Sequence, residues 1–403
     1  MNNTIPAIRP GVLAWLTGLM FSVGPSMVDL SLPAIPVIQR AIGTPALRAE
    51  LSLTAVFFGM AIAQLLFGAV ADRYGRRRPL LIGMLIYCLA TLAAAFAPDI
   101  QTFLVVRLIQ ALSYGVAIVL ARSAVVDVSD ERGSARVFST AIMLMSLTSV
   151  VAPAIGGALL GIWSWRAVFL AMSAFGAVAM IAVSLWLPET LPSTRRSSVP
   201  FRRVLSTYGS LLKQGRFAAC ALIGACAVTF QFTYNTGAPA VVVEHYGLRP
   251  ATAGVIFSVI AVSMALSSQV NAFLLKWRAP VQLMTFGVSL SVVCAAVLLL
   301  NVLTSVGGVV LFVGTLFVLM ATIGFIAGNA MAGAISSAGH QAGAASALVG
   351  VVQFVIGTVG SAIVGIFHDA EGRPMSVVIA ALSLIALGIS LRMRSAAATC
   401  ASA

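Results

Sequence analysis

Asp29 and Arg107 are the two ionisable side chains that fall well inside long apolar runs of the chain. A charge placed among hydrocarbon costs several kcal/mol and is retained where it faces a cavity, a partner or an ion route. Asp29 lies in Met27-Val28-Asp29-Leu30-Ser31-Leu32-Pro33-Ala34-Ile35-Pro36. Burial favours a neutral acid and a nearby cation favours a carboxylate. A carboxyl tuned between those effects takes a proton from one side and releases it on the other. The alternative is a structural aspartate that caps or bridges helices. Arg107 keeps its charge in any surroundings. The two residues fall at similar depth and are either a direct pair or separate parts of one polar cavity. Arg107 has its own alternative task, hydrogen-bonding exposed carbonyls around Gly115 and on neighbouring helices. No His/Cys metal spacing, phosphate loop or Ser-His-Asp constellation accompanies them. The expected chemistry is proton exchange, with no cofactor, no metal and no enzymatic step.

A second cluster reads Gly68-Ala69-Val70-Ala71-Asp72-Arg73-Tyr74-Gly75-Arg76-Arg77-Arg78-Pro79. Gly68 permits close helix approach, Gly75 a tight turn, and Pro79 suits the first turn of a helix. An acid beside four arginines is more than an orientation signal needs, although that bland role is the alternative. Asp72 suits the positive N-terminal end of another helix, and Arg73 suits an inner-face acid such as Asp127. Contacts of this kind across bundles would hold one conformation and release it in the other. Farther on, Pro153 with Gly156 and Gly157 offers a bend or pivot. In the second half Gln231, Tyr234, Asn235, Gln269, Asn271, Asn329 and Gln353 are polar candidates for substrate contact, each equally suited to a helix–helix hydrogen bond. They include no acid or base, which points to neutral or weakly charged substrates.

These residues must be positioned by a chain of 403 residues that is 60% apolar and 9% charged, with a mean hydropathy of +1.05. A soluble domain carries about 25% charged residues, so a cytosolic enzyme, a disordered scaffold and a secreted domain are excluded. A helix needs about 20 apolar residues to cross a bilayer. Twelve runs qualify: 12–35, 50–71, 79–97, 101–124, 137–161, 166–187, 217–240, 250–273, 279–300, 306–331, 342–366 and 374–393. With the N-terminus cytoplasmic, 18 Lys and Arg fall inside and 5 outside, a bias that places both termini in the cytoplasm. The net charge of +13 sits in short clusters between apolar runs, which argues against a nucleic-acid partner. Cys88, Cys220, Cys226 and Cys294 lie in apolar runs and Cys400 in the tail, so no disulfide framework is expected. The first run outlasts a signal-peptide core and is read as an uncleaved span.

The longest polar interruption, Pro188 to Arg216, divides the chain into residues 1–187, a basic cytoplasmic linker 188–216, and residues 217–403. The expected fold is all-α, twelve transmembrane helices in two six-helix bundles. That layout is the pattern of transporters built from repeated bundles, with a repeat-built channel as the other reading.

Taken together, the motifs resemble the major facilitator superfamily and, more narrowly, the Bcr/CflA group of drug–proton antiporters of bacterial inner membranes. Gly68 through Leu80 is similar to the superfamily loop motif at Gly68, Asp72, Arg73, Gly75 and Arg76, with Val70 in place of the usual Leu. Arg107-Leu108-Ile109-Gln110 followed by Gly115 resembles the fourth-span motif R-x-x-Q-G-x-G, with Ala111 where a Gly is common. Ala152-Pro153-Ala154-Ile155-Gly156-Gly157 is similar to the antiporter motif G-P-x-x-G-G. Asp29 with Leu32-Pro33-Ala34-Ile35-Pro36 resembles the group's first-span signature, and matches continue at Trp165-Arg166, Phe169, Glu189-Thr190-Leu191-Pro192, Asn329-Ala330-Met331 and Gly343 to Ala347. The resemblance implies a monomeric inner-membrane exporter working by alternating access, whose partners are a drug-like small molecule, protons and the lipid bilayer. It implies that Asp29 is the proton and drug-competition site, that Arg107 is its coupling partner, and that Asp72, Arg73 and Arg76 form a latch, with Asp72 near His340. A metabolite exporter or uptake symporter of the same fold, or a non-transporting sensor or channel, is the rival expectation.

Overall fold

A computed structural model describes residues 8–191 and 201–402, apart from the side chains of residues 46–48, 66–74, 131, 132, 135, 201–204, 340, 342 and 394–402. Every regular element among the described residues is helical. In order they are α1 (Pro10–Asp29), a short 3-10 turn (Leu32–Ala34), α2 (Ile35–Ile42), α3 (Ala46–Tyr74), α4 (Arg77–Ala95), α5 (Ile100–Val128), α6 (Glu131–Ile162) and α7 (Trp165–Trp186). They continue with α8 (Phe201–Leu212), α9 (Gly215–Ala240) running into a wider π turn (Val241–His245), and α10 (Pro250–Leu274). The last are α11 (Pro280–Thr304), α12 (Gly308–Ser337), α13 (Ala342–Ile366) and α14 (Arg373–Ser402).

Among the described residues eleven helical segments are long and apolar enough to cross a bilayer, and α3 has a shorter apolar stretch, Ala49–Leu65. Large apolar side chains such as Leu89, Leu147, Leu185 and Leu303 are exposed on the helices. Water would penalise such a surface, and lipid accepts it.

Local chemistry sets the helix ends. Asp99 accepts from the Thr102 N–H at 2.8 Å and Asp130 from the Gly133 N–H at 2.8 Å, capping α5 and α6. The bonds from the Thr102 N–H and hydroxyl hold the Asp99 carboxyl below the usual carboxylate range. Between α3 and α4 the chain turns at Gly75 with φ +86°, a conformation that suits glycine. The first span is broken. Pro33 and Pro36 have no N–H to donate, and the backbone tightens there, with Ser31 N to Val28 O at 3.1 Å and Ala34 N to Ser31 O at 2.9 Å. Helix then resumes in α2, so this apolar segment reaches Ile42 rather than ending near residue 35.

The chain divides into two compact units, one up to Phe201 together with Pro250–Val255, the other Arg202–Arg249 with the chain from Ile256 onward. In the first, α1 packs on α6, α4 on α5 and α7, and α3 on α5; in the second, α9 packs on α13, and α11 on α12 and α14. First span with fifth, and third with fourth and sixth, is one packing plan used twice. Within the basic stretch 188–216 the chain forms α8, whose Tyr208 and Leu211 are buried. Glu50 sits in the opening turns of α3 and is only 3% exposed.

Ala111 stands on α5 where the related motif favours glycine, and the close approach is made from the other side. A Cβ on Gly59 of α3 would lie 2.9 Å from the Ala111 Cβ and 3.0 Å from the Leu108 carbonyl oxygen. The small residue has changed helices. Gly59→Val is therefore expected to part α3 from α5 and cost about 1–3 kcal/mol, seen as earlier thermal unfolding of the detergent-solubilised protein. Gly59→Ala combined with Ala111→Gly removes the contact with the Ala111 Cβ but keeps those with Leu108 O at 3.0 Å and Leu112 N at 3.1 Å, so it should unfold between the parent and Gly59→Val.

Candidate functional site

The break in the first span leaves carbonyls at the end of α1 that no helix turn completes, and Arg107 of α5 comes to meet them. Its guanidinium donates from Nη1 to Met27 O at 3.2 Å and to Gln110 Oε1 at 2.7 Å, and from Nη2 to Ser31 Oγ at 3.3 Å. The cation lies 5.5 Å from the centre of the Phe169 ring, and the residue is 1% exposed. Gln110 passes the network on, donating to Thr91 Oγ1 of α4 at 2.7 Å. A charge this deep is held by several neutral acceptors and an aromatic face, each offsetting part of its desolvation.

Asp29 is the last residue of α1, buried in the same core. Its carboxyl is hydrogen-bonded by the Ser149 side chain of α6. Among the described residues it is not a hydrogen-bond or ion-pair partner of Arg107, so of the two arrangements open from sequence the structure holds the separate one. Arg107 meanwhile performs the carbonyl-binding task, on Met27 rather than near Gly115.

Two prolines explain why these positions are polar. A proline at position i deprives the carbonyl at i−4 of its helix donor. Pro25 does this to Phe21, whose oxygen instead accepts from Tyr114 Oη at 3.3 Å. Pro153 does it to Ser149, the residue whose side chain reaches Asp29. Pro153, Gly156 and Gly157 are buried within the continuous α6. A Cβ on Gly156 would come within 2.2 Å of the Leu30 carbonyl oxygen, so the glycine admits the broken stretch of the first span.

At the start of α4 a charged cluster forms. Arg76 Nε donates to Asp127 Oδ2 at 2.9 Å, and Thr190 Oγ1 donates to the same oxygen at 3.3 Å. Glu189 accepts from the backbone N–H of Arg76 at 2.8 Å and of Leu191 at 3.1 Å, while Arg77 Nη2 donates to Ser184 O at 2.7 Å. A carboxylate thus sits on the positive end of α4, and it is Glu189. Side chains of Gly68, Asp72, Arg73 and His340 lie outside the described residues, so the contacts expected of Asp72 and Arg73, across bundles included, do too; the described partners of Asp127 are Arg76 and Thr190. Arg76, Arg77, Asp127, Ser184, Glu189 and Thr190 all belong to the first unit. The cluster as described therefore ties that unit to itself.

In the second unit the polar candidates are scattered. Asn329 donates to Asn271 Oδ1 at 2.8 Å and to Phe325 O at 2.8 Å, joining α12 to α10 in the helix–helix role. Tyr234 is buried edge-on to Phe257, with ring centres 6.0 Å apart. Asn235 is buried, Gln231 and Gln353 are half-buried and Gln269 is exposed. Sequence reading passed over the Thr236–Ser361 bond at 2.7 Å and the Ser149–Asp29 contact. The proline four residues after Ser149 was the available signal for the latter.

The Glu189 carboxylate is expected to hold the α4 start. Glu189→Gln, similar in shape but uncharged, should cost about 1 kcal/mol, read as a lower midpoint of thermal unfolding in detergent. Asp127→Ala should cost about 2 kcal/mol, because buried Arg76 then loses a charged acceptor.

The chain matches the model of the Major Facilitator Superfamily over residues 12–363. It is 31% identical over 375 residues to an uncharacterized MFS-type transporter, YdgK, of Bacillus subtilis, covering 93% of each chain. It is 24% identical over 376 residues to a bicyclomycin resistance protein homolog of Haemophilus influenzae, covering 92% of this chain and 93% of the relative. Among solved structures, a D-xylose–proton symporter superposes with a TM-score of 0.75 at 14% identity, over 94% of this chain and 95% of the other, a likeness of fold. With its helical fold, its spans and a family match across most of its length, the chain belongs to the Major Facilitator Superfamily of membrane transporters.

Proposed function

We propose that this transporter exports small, neutral or weakly charged drug-like compounds across a bacterial inner membrane in exchange for protons, by alternating access. The observation that carries the reading is Asp29, a lone carboxyl buried at the break of the first span beside an arginine that is not its ion-pair partner. A proton and a drug compete for opposite states of the protein, and the difference in their affinities for those states drives the exchange. Arg107 couples the two by holding the carbonyls of the same break. Both termini and the 188–216 linker lie on the cytoplasmic side, where the arginine-rich loops collect. The resistance named for the Haemophilus influenzae relative and the first-span signature around Asp29 both support export of drugs over uptake of a nutrient. Polar groups of the second unit, Gln231, Tyr234, Asn235 and Gln353, serve as neutral anchors in an otherwise apolar site.

The test is proton movement in everted membrane vesicles energised to an acid interior. Adding chloramphenicol or a sulfonamide should release protons when the parent chain is present. Asn in place of Asp29 should insert normally and lower that release at least about tenfold, to the level of vesicles without the protein. Full proton release from Asp29→Asn would overturn the coupling role. Drug accumulation with no proton movement in the parent would favour a different energy source.

A further inference from the structure

Tyr87 of α4 is fully buried, and its hydroxyl has no hydrogen-bond partner among the described residues. Arg107 Nε is buried and unpartnered in the same way. The first can accept a hydrogen bond and the second can only donate one. Leaving either unmet carries a penalty, and native cores rarely keep complementary orphans in one polar cluster.

The two groups belong to one network. Arg107 binds Gln110, Gln110 binds Thr91, and the Thr91 hydroxyl donates to the Tyr87 carbonyl at 2.6 Å. Ser26 and Thr91 flank the Tyr87 hydroxyl, and the Arg107 charge acts on it. Neither neighbour has a proton to give, since Ser26 Oγ donates to Val23 O at 2.8 Å and Thr91 is committed as above. The tyrosine ring is fixed: it lies 6.5 Å from the ring of Tyr114, and a Cβ on Gly176 of α7 would come within 2.6 Å of it. Any adjustment must come from the guanidinium on its flexible stem.

We infer that Tyr87 is a positioning residue for Arg107: its hydroxyl takes Arg107 Nε when the guanidinium releases Met27 O and Ser31. This role rests on the proton-exchange reading above. Along α1, Arg107 now engages the residues on either side of Asp29, whereas Tyr87 stands beside Ser26, about one turn nearer the helix start. Moving to Tyr87 draws the cation back from the turn that carries Asp29. Besides Asp29, Tyr87 and Arg107, the packed helices carry Arg77, Arg78 and Cys88 on α4, Tyr114, Arg122 and Asp127 on α5, Arg48, Glu50, Asp72, Arg73 and Tyr74 on α3, Glu131, Arg132 and Arg136 in the early turns of α6 and Arg166 at the start of α7. Tyr114 is engaged with Phe21 O, and Arg122 lies 5.5 Å from the centre of the Phe21 ring.

The experiment compares the full-length parent, Tyr87→Phe and Asp29→Asn in proteoliposomes, following chloramphenicol-driven proton exchange from acid to alkaline pH. Tyr87→Phe keeps the ring and removes only the hydroxyl. Its exchange profile should move toward acid by about half a pH unit, with the maximal rate lowered about fivefold. Its melting temperature should equal or exceed the parent's, because the hydroxyl it loses is unmet in the conformation described. A profile that overlays the parent's overturns the role of Tyr87 and leaves the coupling reading intact. A melting temperature lower by more than about 4 °C also overturns it, because the hydroxyl would then already be bonded. If the parent itself exchanges no protons, the coupling reading falls, and the role of Tyr87 falls with it.

Discussion

Inside a bilayer a helix has no water with which to complete its backbone hydrogen bonds, so each interruption must be met by a side chain. The first span is interrupted by Pro25 within α1 and by Pro33 and Pro36 beyond it, and the core of the first unit is organised around those interruptions. Tyr114 meets the Phe21 carbonyl and Arg107 meets that of Met27. Ser31 binds Met27 O and Val28 O through its own hydroxyl at 3.1 and 2.8 Å. The same break brings Asp29 to the end of a helix, where Gly156 leaves room for the Leu30 carbonyl. Backbone geometry and the siting of the buried charges are thus one problem with one solution.

Much of this was legible from residue types alone. An aspartate and an arginine inside apolar runs stand out because hydrocarbon tolerates neither without a purpose, and the twelve runs are long enough to assign. Their edges were less legible. Helices such as α5 and α12 continue beyond the apolar core into polar sequence, because helical hydrogen bonding does not stop where lipid does. Asp127 consequently lies in the last turn of α5.

Partner choice was not legible, for reasons that are geometric. Four arginines follow Asp72 within six residues, and which one reaches Asp127 depends on where α3 ends and α4 begins. The turn at Gly75 puts Arg76 just ahead of α4, with its backbone N–H on Glu189 and its side chain on Asp127. Glu189 reads in sequence as the first acid of a linker, yet it caps a helix more than 100 residues earlier in the chain. The exchange of small residues between Gly59 and Ala111 is similarly invisible to a motif written along one helix. Close packing belongs to a pair of helices, and either one can supply the space.

The separation of Asp29 from Arg107 has a consequence for how a proton could be exchanged here. Removing one partner of a buried ion pair costs about 3–5 kcal/mol, and protonating a paired carboxylate would face a penalty of that kind at every cycle. Arg107 is instead held by Met27 O, Gln110 and Ser31, all neutral acceptors, and Asp29 by the hydroxyl of Ser149. A hydroxyl donates to a carboxylate and accepts from a carboxylic acid with little rearrangement, so Ser149 can serve both forms of Asp29. The cation is held at the same helix end, on Met27 O and Ser31, without being consumed as a partner. In the proposed cycle, the proton then changes the relative stability of two arrangements of the first span without having to break a salt bridge first.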